Sequence, residues 1–291
     1  MILPPVEIRD LLKAIGAQAD ESIDLAEAAL ILAAERAGPV ALEPYRAHLD
    51  DLARRIAQAA GTQVADAQVA EESEGAQSVE SRIAALNQVL INDLRYSGDE
   101  KDYDNLENAN LVRVIDRRRG LPVTLGILYL HGARAQGWPA EGLSFPSHFL
   151  IRVEGADGRR AILDPFNGGR TLDAAGLREL LKSMVGSTAE LAPSQYEPTS
   201  NREILVRLQN NIKLRLLRHG ELDDALALVK SMLLFAPDEI MLWRETGMMQ
   251  LRLGDLPSAV LSLEQFVARA PNSTTRHRTT VLLQDLRSRL T

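Results

Sequence analysis

The chain has 291 residues with 33 basic and 40 acidic side chains, a formal net charge of −7, and 45% apolar residues. That length accommodates two domains with a sizeable core, and the apolar share excludes general disorder. The acidic balance and a 4% aromatic content argue against a nucleic-acid binder, and the absence of cysteine excludes disulfides, thiolate metal sites and a cysteine nucleophile.

The first third reads as helices. Ser22–Ala37 places Ile23, Ala26, Leu30 and Ala33 on one stripe and is stopped by Gly38-Pro39. A second helix spans about Pro44 to Ala60, with Leu49, Leu52 and Ile56 on its apolar side. Thr62–Ser78, rich in Ala, Gln, Glu and Ser, is expected to be a connector or frayed helix. Ile83–Leu94 is helical again, and Tyr96–Leu106 is a polar loop. The opening MILPPVEIRD carries no signal-peptide pattern, and the longest near-apolar run, Leu121–Leu130, is about half a bilayer span. A cytoplasmic chain with no membrane contact is the expectation.

Asn110–Arg119 predicts a short helix ending at Gly120. Pro122 then suits the first position of a new helix, where a missing N–H costs nothing. That helix, apolar nearly all round, is expected to be buried and to end at Gly137. His148–Val153 and Arg160–Leu163 predict two strands, joined through the turn chemistry of Gly155–Gly158. His148 and Asp164 lie symmetrically about residue 156. If directly opposed on the hairpin they share a face, with Cβ atoms about 5 Å apart. That arrangement suits a carboxylate orienting an imidazole, although a one-residue change of register would separate them. A hairpin with an unconnected His and Asp near its ends is the plainer alternative.

Gly220, Ala225 and Pro237 recur as Gly254, Ala259 and Pro271, each 34 residues on. This period, with a small residue at the helix crossing and Pro ending the second helix, is similar to the tetratricopeptide repeat. Trp243 and Gly247 fit first-helix positions of the second unit; Gln209 and Lys213 stand there in the first. The segment from Thr274 to Leu290 is expected to cap the array.

Three blocks, RRRGLPVTLGILYL, FPSHFLIRV and LDPFNGG, resemble in order the transglutaminase-like core of the bacterial SirB-type family, which also carries C-terminal tetratricopeptide repeats. The resemblance covers roughly Ser81–Leu180 and the repeats. It implies an α+β fold: a papain/transglutaminase-like core, with a buried helix on an antiparallel sheet, a helical N-terminal region and C-terminal tetratricopeptide-like helical repeats. The divisions expected are 1–78, 79–200 and 201–291. In catalytically competent relatives a cysteine opens the buried helix, a histidine opens the next strand and an aspartate follows on its neighbour. His148 and Asp164 fall on the last two positions, and the cysteine position falls on Pro122, which has no nucleophile. Thr124, Ser144 and Ser147 are the nearest hydroxyls to weigh as substitutes.

The reading is therefore a non-catalytic scaffold or regulator that binds a protein or peptide through the central cleft or the repeats, with self-association as a further use. The alternative is a hydrolase or acyltransferase using His148 and Asp164 with a non-cysteine nucleophile or water. Arg117, Arg118 and Arg119, with Arg113 beside them, form a basic cluster, and they and Trp243 are the candidate binding residues. No cofactor is expected, and the histidine spacings predict no metal site.

Overall fold

The computed structural model describes residues 4–38, 40–68 and 78–289. The backbone divides into two compact units, residues 1–5 with 20–208 and residues 6–19 with 209–291, where composition suggests three segments.

The first unit is built around α6 (Pro122–Ala135), which is buried along almost its whole length. Its glycines explain how a helix can be surrounded. A Cβ at Gly132 would lie 2.4 Å from Ile56 Cδ1, so this side receives α3 (Glu43–Gln68) and α4 (Val79–Asn87). A Cβ at Gly126 would lie 2.4 Å from Phe149 Cε1, so a second side, about 120° round the helix, lies flush on the sheet. The sheet has five strands in the order β6-β5-β4-β3-β7. They are β3 (Ala140–Leu143), β4 (Leu150–Glu154), β5 (Arg160–Asp164), β6 (Arg170–Leu172) and β7 (Pro198–Thr199), every pairing antiparallel. The buried helix on an antiparallel sheet is the architecture expected. The other sheet face is covered by α7 (Ala174–Val185), whose Leu177, Leu180 and Leu181 pack with Leu143, Phe145 and Leu150. Asp173 caps α7 by accepting from Gly176 N–H at 2.8 Å.

In front of α6, α2 (Leu25–Ala37) is capped by Asp24, and α5 (Leu111–Arg117) by Asn110. The helix expected at Ser22 begins three residues later, because Asp20–Ser22 forms a 3-10 turn. The helix expected to stop near Ala60 runs on to Gln68, and the rest of the connector expected over 62–78 lies outside the described residues up to Ser78. After α4 the chain winds into a π-helical segment, Gln88–Asp93. The loop expected at Tyr96–Leu106 contains a short strand, β1 (Ser97–Gly98), paired in parallel with β2 (Arg119–Gly120).

The second unit contains α1 (Pro5–Ala17), the C-terminal part of α8 (Asn201–His219), α9 (Leu222–Phe235), α10 (Ile240–Arg252), α11 (Leu256–Arg269) and α12 (Thr274–Ser288). The sequence repeat is visible as two helix pairs. Gly220 and Gly254 hold φ of +80° and +81° at the turns, a conformation costly for any other residue. Ala225 and Ala259 are fully buried. A Cβ at Gly247 would lie 2.6 Å from Leu263 Cγ, so α10 and α11 cross at near backbone contact. In α9, Leu228, Val229 and Met232 are buried, while Leu222, Leu226 and Leu233 are half-buried. Val260, Leu263, Leu283 and Leu286 join α11 to α12, which closes the array. α1, from the other end of the chain, belongs here as well: a Cβ at Gly16 would overlap the carbonyl oxygen of Leu234.

Candidate functional site

The site is assembled where β4 and β5 end beside the turn that follows β5. The strands pair Ile151 with Leu163 and Glu154 with Arg160, so the hairpin is centred on residue 157, not 156. Asp164 therefore stands, by one further step of register, across from Leu150, two residues beyond direct opposition to His148. The pair meets nonetheless. Ser147 is left-handed (φ 57°), which breaks the strand alternation just before His148. His148 Nε2 lies 2.8 Å from Asp164 Oδ1, with both residues buried.

Asp164 is held from several directions. Asn167 donates its backbone N–H to Oδ1 at 3.3 Å and its side-chain amide to Oδ2 at 2.6 Å. Arg170 Nη2 is 3.6 Å from Oδ2. Burial opposes ionisation of this carboxyl, but the hydrogen bond from His148, its charge and the two bonds from Asn167 outweigh it, and the pKa is held below the ordinary value. An ionised Asp164 accepts from Nε2–H, which leaves Nδ1 as the unprotonated ring nitrogen in neutral His148.

The backbone carrying His148 is braced by Arg207 of α8. Its Nη2 donates to Phe145 O at 2.9 Å and to His148 O, and its guanidinium lies 5.7 Å from the Phe149 ring centre. Phe166 meets the His148 ring edge-on at 6.1 Å, and Tyr103 meets Phe166 the same way at 5.8 Å. Phe166 in turn lies against Gly98, where a Cβ would be 2.6 Å from the ring. Phe149 and Phe166 lie inside the FPSHFLIRV and LDPFNGG blocks, whereas no motif marks Arg207 or Tyr103.

Pro122 occupies the first turn of α6, and the residue before it, Leu121, is the N-cap without a side-chain cap bond. Thr124 is fully buried, and its hydroxyl lies 2.9 Å from both Asn108 O and Leu121 O. It serves the local backbone. The basic run is largely engaged within the chain. Arg117 pairs with the buried Asp99 at 3.0 Å and with Asn108 at 2.9 Å, while Arg118, left-handed at φ 59°, reaches His48 and Tyr96. Arg119 is exposed on β2, and the half-exposed Arg113 lies between Glu107 and Asp116. In the second unit, Trp243 donates to Pro237 O at 3.3 Å and stacks under Arg269 at 5.2 Å. Among the described residues no helix is long and apolar enough to cross a membrane.

Comparison with known proteins agrees with this geometry. A model of the transglutaminase-like superfamily matches residues 43–210, and a tetratricopeptide repeat model matches residues 212–284. The first match starts at α3, well before the stretch that sequence motifs cover. A UPF0162 protein of Xylella fastidiosa is 34% identical over 195 residues, 66% of this chain and 69% of that protein. Protein SirB1 of Salmonella typhimurium is 29% identical over 161 residues, 55% of this chain and 60% of that protein. F-box only protein 21 of Pongo abelii is 31% identical over 194 residues, 63% of this chain but 30% of that protein. With a buried helix on an antiparallel sheet, a histidine–aspartate pair at its strand ends and two tetratricopeptide repeats later in the sequence, the chain belongs to the SirB-type family of the transglutaminase-like superfamily.

Proposed function

We propose that this chain is a non-catalytic member of its superfamily, a cytoplasmic scaffold or regulator that binds a protein or peptide. The observation that carries this is Pro122: the helix position where a nucleophile is required holds a buried side chain with no reactive atom and no N–H for an oxyanion. The sequence supplies no cysteine anywhere, and the hydroxyl closest along the helix, Thr124, is hydrogen-bonded to the backbone. Tetratricopeptide repeats generally mediate protein–protein interactions, so the repeats and the His148–Asp164 region are the two surfaces assigned to the partner. Arg119 and Arg170 contribute exposed positive charge to the first unit.

One observation favours a second reading. Asp164 is held ionised and orients the imidazole, the arrangement a general base needs, so a hydrolase or acyltransferase using activated water is the alternative. Purified full-length protein incubated with peptide amides and esters separates the two. The proposal requires no turnover above background; a rate that His148→Ala abolishes would overturn it. Affinity purification from the source cell with wild type, His148→Ala and Trp243→Ala in parallel tests the binding role. The proposal expects a partner retained by wild type and lost with at least one variant, and equal recovery by all three counts against both assigned surfaces.

A further inference from the structure

We propose that Asn87 and Tyr129 are positioning residues that fix the turn carrying Asp164 and thereby the orientation of the His148 ring. The proposal rests on the reading of that pair as the ligand-recognising site. Gly169 is where the three segments meet. It is left-handed (φ 67°), and a Cβ there would lie 2.0 Å from Asn87 Oδ1 and 2.2 Å from the Tyr129 hydroxyl, so three chain segments meet with no spare space. Their polar groups form one directed chain. The Tyr129 hydroxyl donates to Asn87 Oδ1 at 2.7 Å, Asn87 Nδ2 donates to Gly169 O at 3.1 Å, and Gly169 N–H donates to Asp164 O at 2.9 Å. Each donor finds one acceptor, the arrangement in which successive bonds polarise one another.

The chain spans the elements that matter. Asn87 is the last α-helical residue before the π-helical segment at Gln88, an irregularity that often marks functional positions. Tyr129 lies on α6, two turns after Pro122, and is fully buried. Burial first, then the charge of Asp164, pushes its phenol pKa up, so it remains a neutral donor throughout the physiological range. The turn from Asp164 to Gly169 is thus pinned at both ends. Asn167 grips the carboxylate at one end, and Asn87, braced by Tyr129, holds the carbonyl at the other. If the Asn87 bond is lost, the turn can rotate, and the Oδ1 atom opposite His148 moves with it.

The test reads the imidazole itself. Protein labelled with ¹⁵N in histidine reports the His148 tautomer and the exchange of its Nε2 proton. Asn87→Leu removes both polar groups at similar volume. It should leave a folded protein in which that proton exchanges about tenfold faster and the two tautomers mix. Tyr129→Phe, which deletes one oxygen and keeps the ring, should shift both readouts the same way by less, and it carries the comparison if Asn87→Leu does not fold. A folded variant with the wild-type tautomer and exchange rate overturns the proposal, because a purely packing role predicts a lower melting temperature with an unchanged imidazole. Partner capture enters neither readout, so failure of the binding function and failure of the positioning role are separate results.

Discussion

Gly126→Ala inverts an ordinary expectation. In an exposed helix interior, replacing Gly by Ala gains about 1 kcal/mol, because glycine loses more backbone freedom on folding. At Gly126 the new Cβ would stand 2.4 Å and 2.5 Å from two ring carbons of Phe149, over 1 Å inside the usual carbon–carbon contact of about 3.5–4.0 Å. The ring has no room to withdraw, since its far edge faces Gly142, whose own Cβ would lie 2.7 Å from Phe149 Cζ. The helix must lift from the sheet or the ring must leave its rotamer, at about 1–3 kcal/mol for overpacking. Set against the helical gain, the net loss is at most about 2 kcal/mol, a fall of up to roughly 8 °C in melting temperature. Thermal and urea unfolding followed by far-UV circular dichroism measures it. Phe149→Leu shortens the obstructing side chain, so Gly126→Ala introduced into that background should cost nothing or stabilise. A single Gly126→Ala variant that melts higher than wild type would show that the buried helix does not lie against Phe149 as described.

Gly247→Ala makes the same test in the repeats, where the added carbon would lie 2.6 Å and 2.7 Å from Leu263; after the same helical gain a net loss of up to about 2 kcal/mol in urea unfolding is expected, and a gain would refute the close crossing of α10 and α11. His48 predicts an acid dependence. Burial first, then the neighbouring Arg118 charge, lowers its pKa from 6.5 to about 4, so the unfolded chain takes up a proton before the folded one does. Its effect on stability is absent above the ordinary value and grows as pH falls from 6.5 towards about 4. The gap corresponds to at most ~3 kcal/mol, reduced to ~1–2 by solvent at a half-buried ring. His48→Gln should flatten the stability profile between those pH values, and an unchanged slope would refute the assignment.

What the sequence made legible was local and periodic. Pro122, the apolar run to Leu130 and Gly137 define α6 without help from the rest of the chain, and the 34-residue spacing defines two helix pairs. The hairpin was legible from its alternation and Gly-rich turn, but its centre was displaced by one residue because the turn closes between Gly155 and Arg159. β3, β6 and β7 escaped because each has at most four residues, too few for a period-two signal, and Gly142 and Pro198 disfavour strands on propensity. α7 was legible in principle, since Asp173 caps it and Leu177, Leu180 and Leu181 are spaced for a helix. No local pattern could join α1 to the repeats, since the contact of Gly16 with Leu234 links residues more than two hundred apart. The same holds at the site. His148 and Asp164 carried a motif, whereas Asn87, Tyr129 and Arg207 act through hydrogen bonds to groups far along the chain and leave no periodic trace.

The presence of a buried His148–Asp164 pair in a chain without cysteine has two physical explanations, and they predict different mutants. If the pair is only a brace, its worth is relative to the alternative of an unpaired buried group. Removing one partner leaves the other without its bond, at about 3 kcal/mol or more, whereas replacing both with apolar side chains of similar size is often close to neutral. His148→Leu and Asp164→Leu alone should each be strongly destabilising, and the double variant should cost markedly less than their sum. Asp164 has further duties, because Asn167 also bonds its carboxylate, so the double variant is expected to retain about 1–2 kcal/mol of loss. The acid limb checks the same carboxylate. Its lowered pKa means its contribution is present above the ordinary carboxyl value and disappears as pH falls through the folded one, so both Asp164 variants should lose that limb. A brace predicts that the double variant, once folded, retains partner binding in full. A recognition site predicts a well-folded double variant that no longer retains the partner, and strict additivity of the two single variants would refute the premise that the residues act as a pair.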